Sequence, residues 1–187
     1  ANPYTLTDDD RTVIGNTTPK FSGGFGLNAT FKGFDVSAFF NFMYDFDVFN
    51  ANKVMMTTWA SNNYNNFSMD ISAAKRWRNF DDMGNEIRYS PEILAEFNKN
   101  ATMWNPTSIG RPIAMSYAVE DGSFLRLNTA TIGYTLPRAW TNKVGLSRVR
   151  FYASGYNLFT ITGYSGYDPE VDIATGLTPN IDNNRYQ

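Results

Sequence analysis

Three acidic residues spaced by two, Asp168, Glu170 and Asp172, form the group whose types and spacing most directly indicate chemistry. Oxygen ligands of this kind are the ones that Ca²⁺ binds, so the segment is a candidate calcium site. It lacks the glycine and the distal glutamate of an EF-hand loop. A solvated acidic turn is the alternative, and apart from a structural calcium ion no cofactor is expected.

Aromatic residues outside the regular alternating segments form a second candidate group. Their rings could stack on sugar rings or on peptide side chains, which would make them contact residues for a substrate or a partner protein. The alternative is that they pack long loops into small cores of their own. These candidates are Trp59, Tyr64, Trp77, Trp104, Tyr164 and Tyr167.

The sequence of 187 residues contains no histidine and no cysteine, which removes most catalytic chemistry. A Ser-His-Asp triad, a cysteine nucleophile and a Cys/His zinc site are all excluded. A pair of carboxylates for glycoside hydrolysis remains open, but nothing in the sequence singles out such a pair. We therefore expect that the chain is not an enzyme.

Charge and hydropathy exclude further classes of function. Sixteen basic and 18 acidic side chains give a net charge of −2, so nucleic acid is not an expected partner. The sequence has no apolar run of 18 residues, which argues against a transmembrane helix. Aromatic residues make up 16% of a chain of negative mean hydropathy, which is typical of strands with one apolar face.

The clearest periodicity predicts a hairpin over residues 20–45. Odd positions are mostly apolar from Phe21 to Phe31, and even positions are apolar from Phe34 to Tyr44. Lys32 and Gly33 separate the two segments as a tight turn. Eleven residues extend about 36 Å and, when tilted by ~45°, rise about 25 Å. That height matches the apolar band of an outer-membrane barrel.

A second hairpin is predicted over residues 122–160. Its first strand covers 123–137, and the apolar phase moves by one position after Asn128, which predicts a β-bulge. Its second strand covers 148–160 and carries aromatic residues on both faces, so either face could meet lipid. Alternation alone leaves that choice open.

The connections between the predicted strands alternate in length. Residues 32–33 and 138–147 form short connections, whereas 1–19, 46–121 and 161–187 form long ones. Short periplasmic turns and long extracellular loops are typical of transmembrane barrels. The longest loop should contain short helices, one beginning at Ser90-Pro91 and one capped by Asp70.

Several motifs, taken in order, resemble the late barrel of SusC/RagA-type TonB-linked outer-membrane transporters. These motifs are Asp-Asp-Arg-Thr-Val-Ile-Gly-Asn at 9–16, Phe-Asp-Val-Ser-Ala-Phe-Phe at 34–40, Glu-Asp-Gly-Ser-Phe-Leu-Arg-Leu at 120–127, Val-Arg-Phe-Tyr-Ala-Ser-Gly-Tyr-Asn-Leu-Phe-Thr at 149–160 and Gly-Tyr-Asp-Pro-Glu at 166–170. The resemblance covers most of the chain outside the longest loop.

The resemblance implies an all-β fold, namely part of an antiparallel transmembrane β-barrel with about four long spanning strands. Four strands cannot close a barrel, so the chain would be the C-terminal segment of a longer polypeptide or one subunit of a split barrel. It would lie in the outer membrane of a Gram-negative cell, among lipid. Its partners would be the rest of the barrel and the plug, TonB through a part absent here, and a SusD-like surface lipoprotein acting as a lid.

The function implied by the resemblance is active import of an oligosaccharide or peptide substrate, without covalent chemistry. Two alternatives remain open. A soluble carbohydrate-binding β-module would use the same exposed aromatic residues, and a secreted hydrolase would use two carboxylates. The long strands and the alternation of short and long connections favour the transporter.

Overall fold

A computed structural model describes residues 11–58, 67–107, 115–171 and 181–182. The strands are β1 (Phe21–Phe31), β2 (Phe34–Tyr44), β3 (Asp47–Asn50), β4 (Val119–Asp121), β5 (Phe124–Thr135), β6 (Arg150–Thr162) and β7 (Ile181–Asp182). The α-helices are α1 (Ala51–Met55), α2 (Pro91–Asn98) and α3 (Arg138–Thr141). Single turns of 3₁₀-helix occur at Met69–Ile71, Ser116–Ala118 and Asn142–Val144.

Four long strands form an antiparallel sheet in the order β1-β2-β5-β6. Strand β1 pairs with β2 from Phe21↔Tyr44 to Phe31↔Phe34, so Lys32 and Gly33 form the predicted two-residue turn. Both residues have positive φ, which the twist of a tight hairpin favours. The predicted number of long strands and the first hairpin are confirmed. The second hairpin is shifted slightly, with strands at 124–135 and 150–162 instead of 123–137 and 148–160.

The predicted bulge lies in β5 at Asn128. Phe39 pairs with Thr129, but the next residue, Phe40, pairs with Leu127, so Asn128 has no partner on β2. Strand β6 adapts to the same irregularity with Asn157, whose φ of 49° lies in the left-handed region that asparagine tolerates. The sequence predicted the bulge in β5 but not the matching adjustment in β6.

The register assigns every strand position to one of two faces. Three register pairs run across the sheet from β1 to β6, namely Phe31↔Phe34, Phe34↔Tyr134 and Tyr134↔Phe151. The apolar positions of all four strands therefore lie on one side. We call this side the outward face and the opposite, mostly polar side the inward face. The choice that alternation left open for the fourth strand is thereby decided, since Phe151 belongs to the outward face.

Aromatic pairs mark both ends of the outward face. Phe21 stacks with Tyr44 at a ring-centroid distance of 6.4 Å at one end. Phe34 packs on Tyr134 at 4.4 Å at the other end, beside the tight turn. The two pairs are separated by ten residues of β1 and β2, or about 33 Å along the strands. Aromatic belts at this separation are typical of the two interfaces of a membrane-spanning sheet.

The loops contain more regular structure than the sequence predicted. Strands β3, β4 and β7 form a second sheet, and β3 pairs in parallel with β7. Helix α2 begins after Ser90 as predicted, although the Ser90 side chain makes no capping hydrogen bond. The prediction of a short helix capped by Asp70 is wrong in two respects. The helix is a single 3₁₀ turn, and Ser68 is the residue that caps it. Helix α3 lies in the second short connection and was not predicted.

The chain divides into two compact units. The sheet unit contains the described residues of Ala1–Val48 and Glu120–Asn180, and the loop unit contains those of Phe49–Val119 and Ile181–Gln187. The buried cluster of the sheet unit consists of Phe46, Val48, Phe124, Tyr164 and Val171. In the loop unit the buried apolar residues are Val54, Ile71, Ile87, Met103 and Ala118.

Within the described residues, no helix has the length and apolar character needed to cross a membrane.

Candidate functional site

The acidic candidate residues lie beside the long-loop end of β5 and β6, where Arg126 binds both of the described ones. The Arg126 guanidinium pairs with Asp168 through one terminal nitrogen and with Glu170 through the other, the latter at 3.1 Å. The Arg126 side chain is largely buried, so both ion pairs form where solvent screening is reduced. This arginine was missed at the sequence level, because 42 residues separate it from Asp168.

Arg126 also has one hydrogen-bond donor that lacks a partner among the described residues. Its Nε–H is enclosed and has no hydrogen-bond partner among the described residues, and the same holds for Oδ1 of Asn41. These two residues are register partners on the inward face. One is a donor and the other an acceptor, so two complementary polar groups lie on paired residues without a hydrogen bond among the described residues.

Residues 163–171, which we call the anchored segment, are fixed at several points besides Arg126. Tyr164 and Val171 are buried in the cluster of the sheet unit. Ser165 donates two hydrogen bonds to Glu120, from its backbone N–H at 2.9 Å and from its hydroxyl at 2.8 Å. The segment therefore has fixed residues on both sides of its centre.

Tyr167 lies at that centre and is 77% exposed. Its neighbours are held by Glu120 on one side and by Arg126 on the other. A large aromatic side chain that is held out by a fixed backbone loses little conformational entropy on binding, which is typical of contact residues at interfaces. Tyr164, another predicted contact residue, is instead buried, as expected for an aromatic residue that packs a loop.

Two further aromatic candidates, Trp77 and Trp104, belong to the loop unit. Trp77 is partly exposed, and its backbone N–H donates to the carbonyl of Met103 at 2.8 Å. Trp104 packs edge-on against Tyr117 and donates its indole N–H to the Thr57 carbonyl at 3.1 Å, so it too follows the packing alternative. The other two candidates, Trp59 and Tyr64, lie outside the described residues.

Two carboxylates stabilise the loop unit by hydrogen bonds. Tyr117 donates its hydroxyl proton to Asp70 at 3.0 Å, and this bond lowers the pKa of Asp70. Asp81 accepts from the side chain of Asn85 at 2.9 Å and from its backbone N–H at 2.7 Å. These bonds favour the ionised carboxylate and lower the pKa of Asp81.

An ion pair spans three strands on the inward face near the tight turn. Arg150 of β6 donates to Asp35 of β2 from Nε at 3.0 Å and from a terminal nitrogen at 2.5 Å. Gly133 of β5 lies between them, and a Cβ there would come within 2.6 Å of both side chains. Only glycine leaves room for the pair to cross the middle strand. Spacing gave no indication of this contact between residues 115 positions apart.

Within the part of the chain that the structure describes, no three acidic side chains come close enough together to hold a metal ion. Asp172, the third residue of the predicted calcium site, lies outside the described residues. Calcium binding at Asp168, Glu170 and Asp172 therefore stays a prediction. In this structure Arg126 provides the positive charge at the first two positions.

Comparison with known proteins identifies the family. The TonB-dependent receptor P3 of Formosa agariphila is 34% identical over 167 residues, which cover 89% of this chain and 14% of that protein. The TonB-dependent receptor SusC of Bacteroides thetaiotaomicron is 30% identical over 143 residues, covering 69% of this chain and 14% of that protein. The chain belongs to the family of SusC/RagA-type TonB-dependent transporters. It spans about a seventh of the length of these relatives, and no protein-family model matches it.

Solved structures of the RagAB proteins show the same fold. The RagAB peptide importer in its closed-closed state superimposes with a TM-score of 0.69 at 23% identity, over 97% of this chain and 17% of that one. The RagAB peptide transporter gives 0.70 at 24% identity, over 97% and 18%. The predicted fold, a portion of an all-β barrel that is not closed by itself, is confirmed. These relatives are named as receptors and transporters, in agreement with the prediction that the chain is not an enzyme.

Proposed function

We propose that this chain forms part of the barrel wall of an outer-membrane, TonB-dependent importer of nutrients. The observation that carries the proposal is the register, which joins the apolar positions of four long strands into one continuous outward face. Large side chains on that face are exposed in this chain, which is costly in water and favourable in lipid.

The two edge strands support the same proposal. Strands β1 and β6 form the two edges of the four-stranded sheet. In the described part of the chain, each of them pairs with one neighbouring strand. Backbone groups left unpaired along an edge are not tolerated in the hydrocarbon of a bilayer. Further strands of the same barrel would pair with both edges, and the chain's share of its relatives' length leaves ample sequence for them.

The partners and the cargo are inferred by similarity and by exposure. A surface lipoprotein of the SusD type would cover the long-loop end, and an oligosaccharide or a peptide would be imported. One similar protein of known structure is named as a peptide importer, and one relative is named SusC. Tyr167 and Trp77 are the described aromatic candidates that are exposed enough to contact a lid protein or a cargo molecule.

Cell fractionation of the native organism tests the proposal. An antibody raised against residues 79–100 should detect a band several times larger than the 21.1 kDa of this chain, in the outer membrane. A 21 kDa band in the same membrane would indicate a split barrel completed by a partner chain. A 21 kDa band in the soluble fraction would refute the proposal and favour the carbohydrate-binding module.

A further inference from the structure

The two short connections carry three basic residues that form no ion pair among the described residues. They are Lys32 in the tight turn, and Arg138 and Lys143 in the connection between β5 and β6. Residues 122–167 contain no acidic residue, so the second connection has no carboxylate of its own. Asp35, the carboxylate next to the tight turn, already pairs with Arg150. The described part of the chain therefore leaves these three charges without compensation.

The basic residues at the opposite end of the sheet are compensated within the chain. Lys20 pairs with Asp45, and Arg126 pairs with Asp168 and Glu170. The two ends of the sheet thus differ in charge, although they belong to the same four strands. Uncompensated cations attract anions from outside the chain. The difference therefore indicates an external anion at the short-connection end.

Exposed apolar side chains lie in the same connection as two of these charges. Trp140 is 61% exposed, Val144 is 69% exposed, and Leu146 is exposed as well. The backbone that carries them is fixed, because Thr141 is buried and its carbonyl accepts from the N–H of Leu146 at 3.0 Å. An indole ring and aliphatic side chains beside lysine and arginine are typical of the boundary between lipid headgroups and acyl chains.

The connection also lies at the depth of the headgroups. The Phe34–Tyr134 pair belongs to the aromatic belt at this end. Pro137 follows Tyr134 by three residues, which is about 10 Å along the chain, or about 7 Å of rise at a tilt of ~45°. Headgroups add roughly 5–8 Å on each side of the hydrocarbon. Lys32 lies at the same level, with its Nζ 5.2 Å from the centre of the Phe31 ring on the outward face.

We propose that Lys32, Arg138 and Lys143 form a binding surface for the headgroups of acidic phospholipids in the leaflet at the short-connection end. Strands β2 and β5 are paired, so the two connections lie side by side, with centres about 10 Å apart. The cations would bind the lipid phosphates, and Trp140 would lie between headgroup and acyl chain. The inference rests on the proposed function, because only a sheet that spans the membrane places these residues against lipid.

Native mass spectrometry of the full-length transporter in detergent tests the surface, with phosphatidylglycerol and phosphatidylcholine of the same acyl chains as probes. The unaltered protein should bind phosphatidylglycerol more tightly, and excess inorganic phosphate should not displace it. The double variant Arg138→Gln/Lys143→Gln should bind phosphatidylglycerol about tenfold more weakly or worse, with phosphatidylcholine binding unchanged. Equal affinity of the unaltered protein for the two lipids, or displacement by phosphate, would overturn the proposal.

The double variant Lys75→Gln/Arg88→Gln is the matched control. It removes the same charge from two exposed basic residues of the loop unit. It should leave the affinity for phosphatidylglycerol unchanged. An equal loss of affinity in both double variants would show that net charge alone is responsible, which would contradict a site at the short connections.

Fluorescence quenching separates failure of this inference from failure of the proposed function. Single cysteines at Val144→Cys and Leu27→Cys are labelled with bimane in a full-length protein without other cysteines, in phosphatidylglycerol vesicles. A phospholipid with a nitroxide on its headgroup should quench the label at 144, and one with a nitroxide in mid-chain should quench the label at 27. Quenching at 27 alone would refute the lipid surface, because water or another polypeptide segment would then cover residue 144. Absence of quenching at both positions would refute the proposed function as well.

Discussion

Leu27→Lys is the substitution that most directly tests the assignment of the two sheet faces. Leu27 lies near the middle of β1, points to the outward face and is 58% exposed. If that face meets lipid, the lysine ammonium enters the centre of the bilayer. A basic residue on the lipid face of a barrel costs about 2–4 kcal/mol at the midplane. Each 1.4 kcal/mol is a tenfold change in an equilibrium, so the ratio of folded to unfolded barrel should fall at least tenfold.

Asn28→Lys is the matched control. Asn28 is the next residue of β1, is also exposed, and points to the inward face. Its lysine would face away from lipid, so the cost should be well below that of Leu27→Lys. The two variants have the same net charge and nearly the same position in the chain.

Both variants are made in the full-length transporter, and two quantities are measured. One is the amount of protein assembled in the outer membrane, and the other is the midpoint of urea unfolding in lipid vesicles. Leu27→Lys should lower both, whereas Asn28→Lys should remain close to the unaltered protein. Equal effects of the two lysines, or a larger effect of Asn28→Lys, would refute the face assignment and with it the membrane-spanning role of the sheet.

Three further predictions concern the loops and the inward face. Tyr164→Ala should lower the free energy of unfolding by about 3–5 kcal/mol and raise the rate of hydrogen exchange in the anchored segment about a hundredfold or more. Tyr89→Ala, at an exposed tyrosine, should have neither effect. Gly133→Val should break the ion pair that crosses it and lower the thermal stability of the barrel. Asp81 has a lowered pKa, so its stabilisation is present above the unfolded pKa of about 3.9 and is lost as pH falls through the folded value. Asn85→Ala should weaken this dependence, as measured by local unfolding free energies from hydrogen exchange at pH 3 and pH 6.

The agreement between sequence and structure is closest where the signal is local. The strands of the first hairpin, the turn at Lys32-Gly33 and the bulge at Asn128 all follow from the period of two between successive side chains on a face. Helix α2 follows from a serine and a proline at its start. Each of these features depends on residues that are near one another in the chain, so composition and spacing are sufficient.

The candidate site depended on contacts that spacing cannot reveal. Asp168 and Glu170 have the pattern of a calcium loop in the sequence, but in the fold they share Arg126. Burial separates Tyr164 from Tyr167, although the two tyrosines are three residues apart and equally plausible as contact residues in the sequence.

By itself, the sequence determined the strands of the first hairpin, the alternation along each strand, the absence of histidine and cysteine chemistry, and the family resemblance. Only the tertiary structure decided which face of β6 continues the apolar side of the sheet. It also decided that Arg150 reaches Asp35 across Gly133. The physical reason is that alternation gives each strand two faces but no means of choosing between them. The choice is made when backbone hydrogen bonds fix the register between strands that are far apart in the chain.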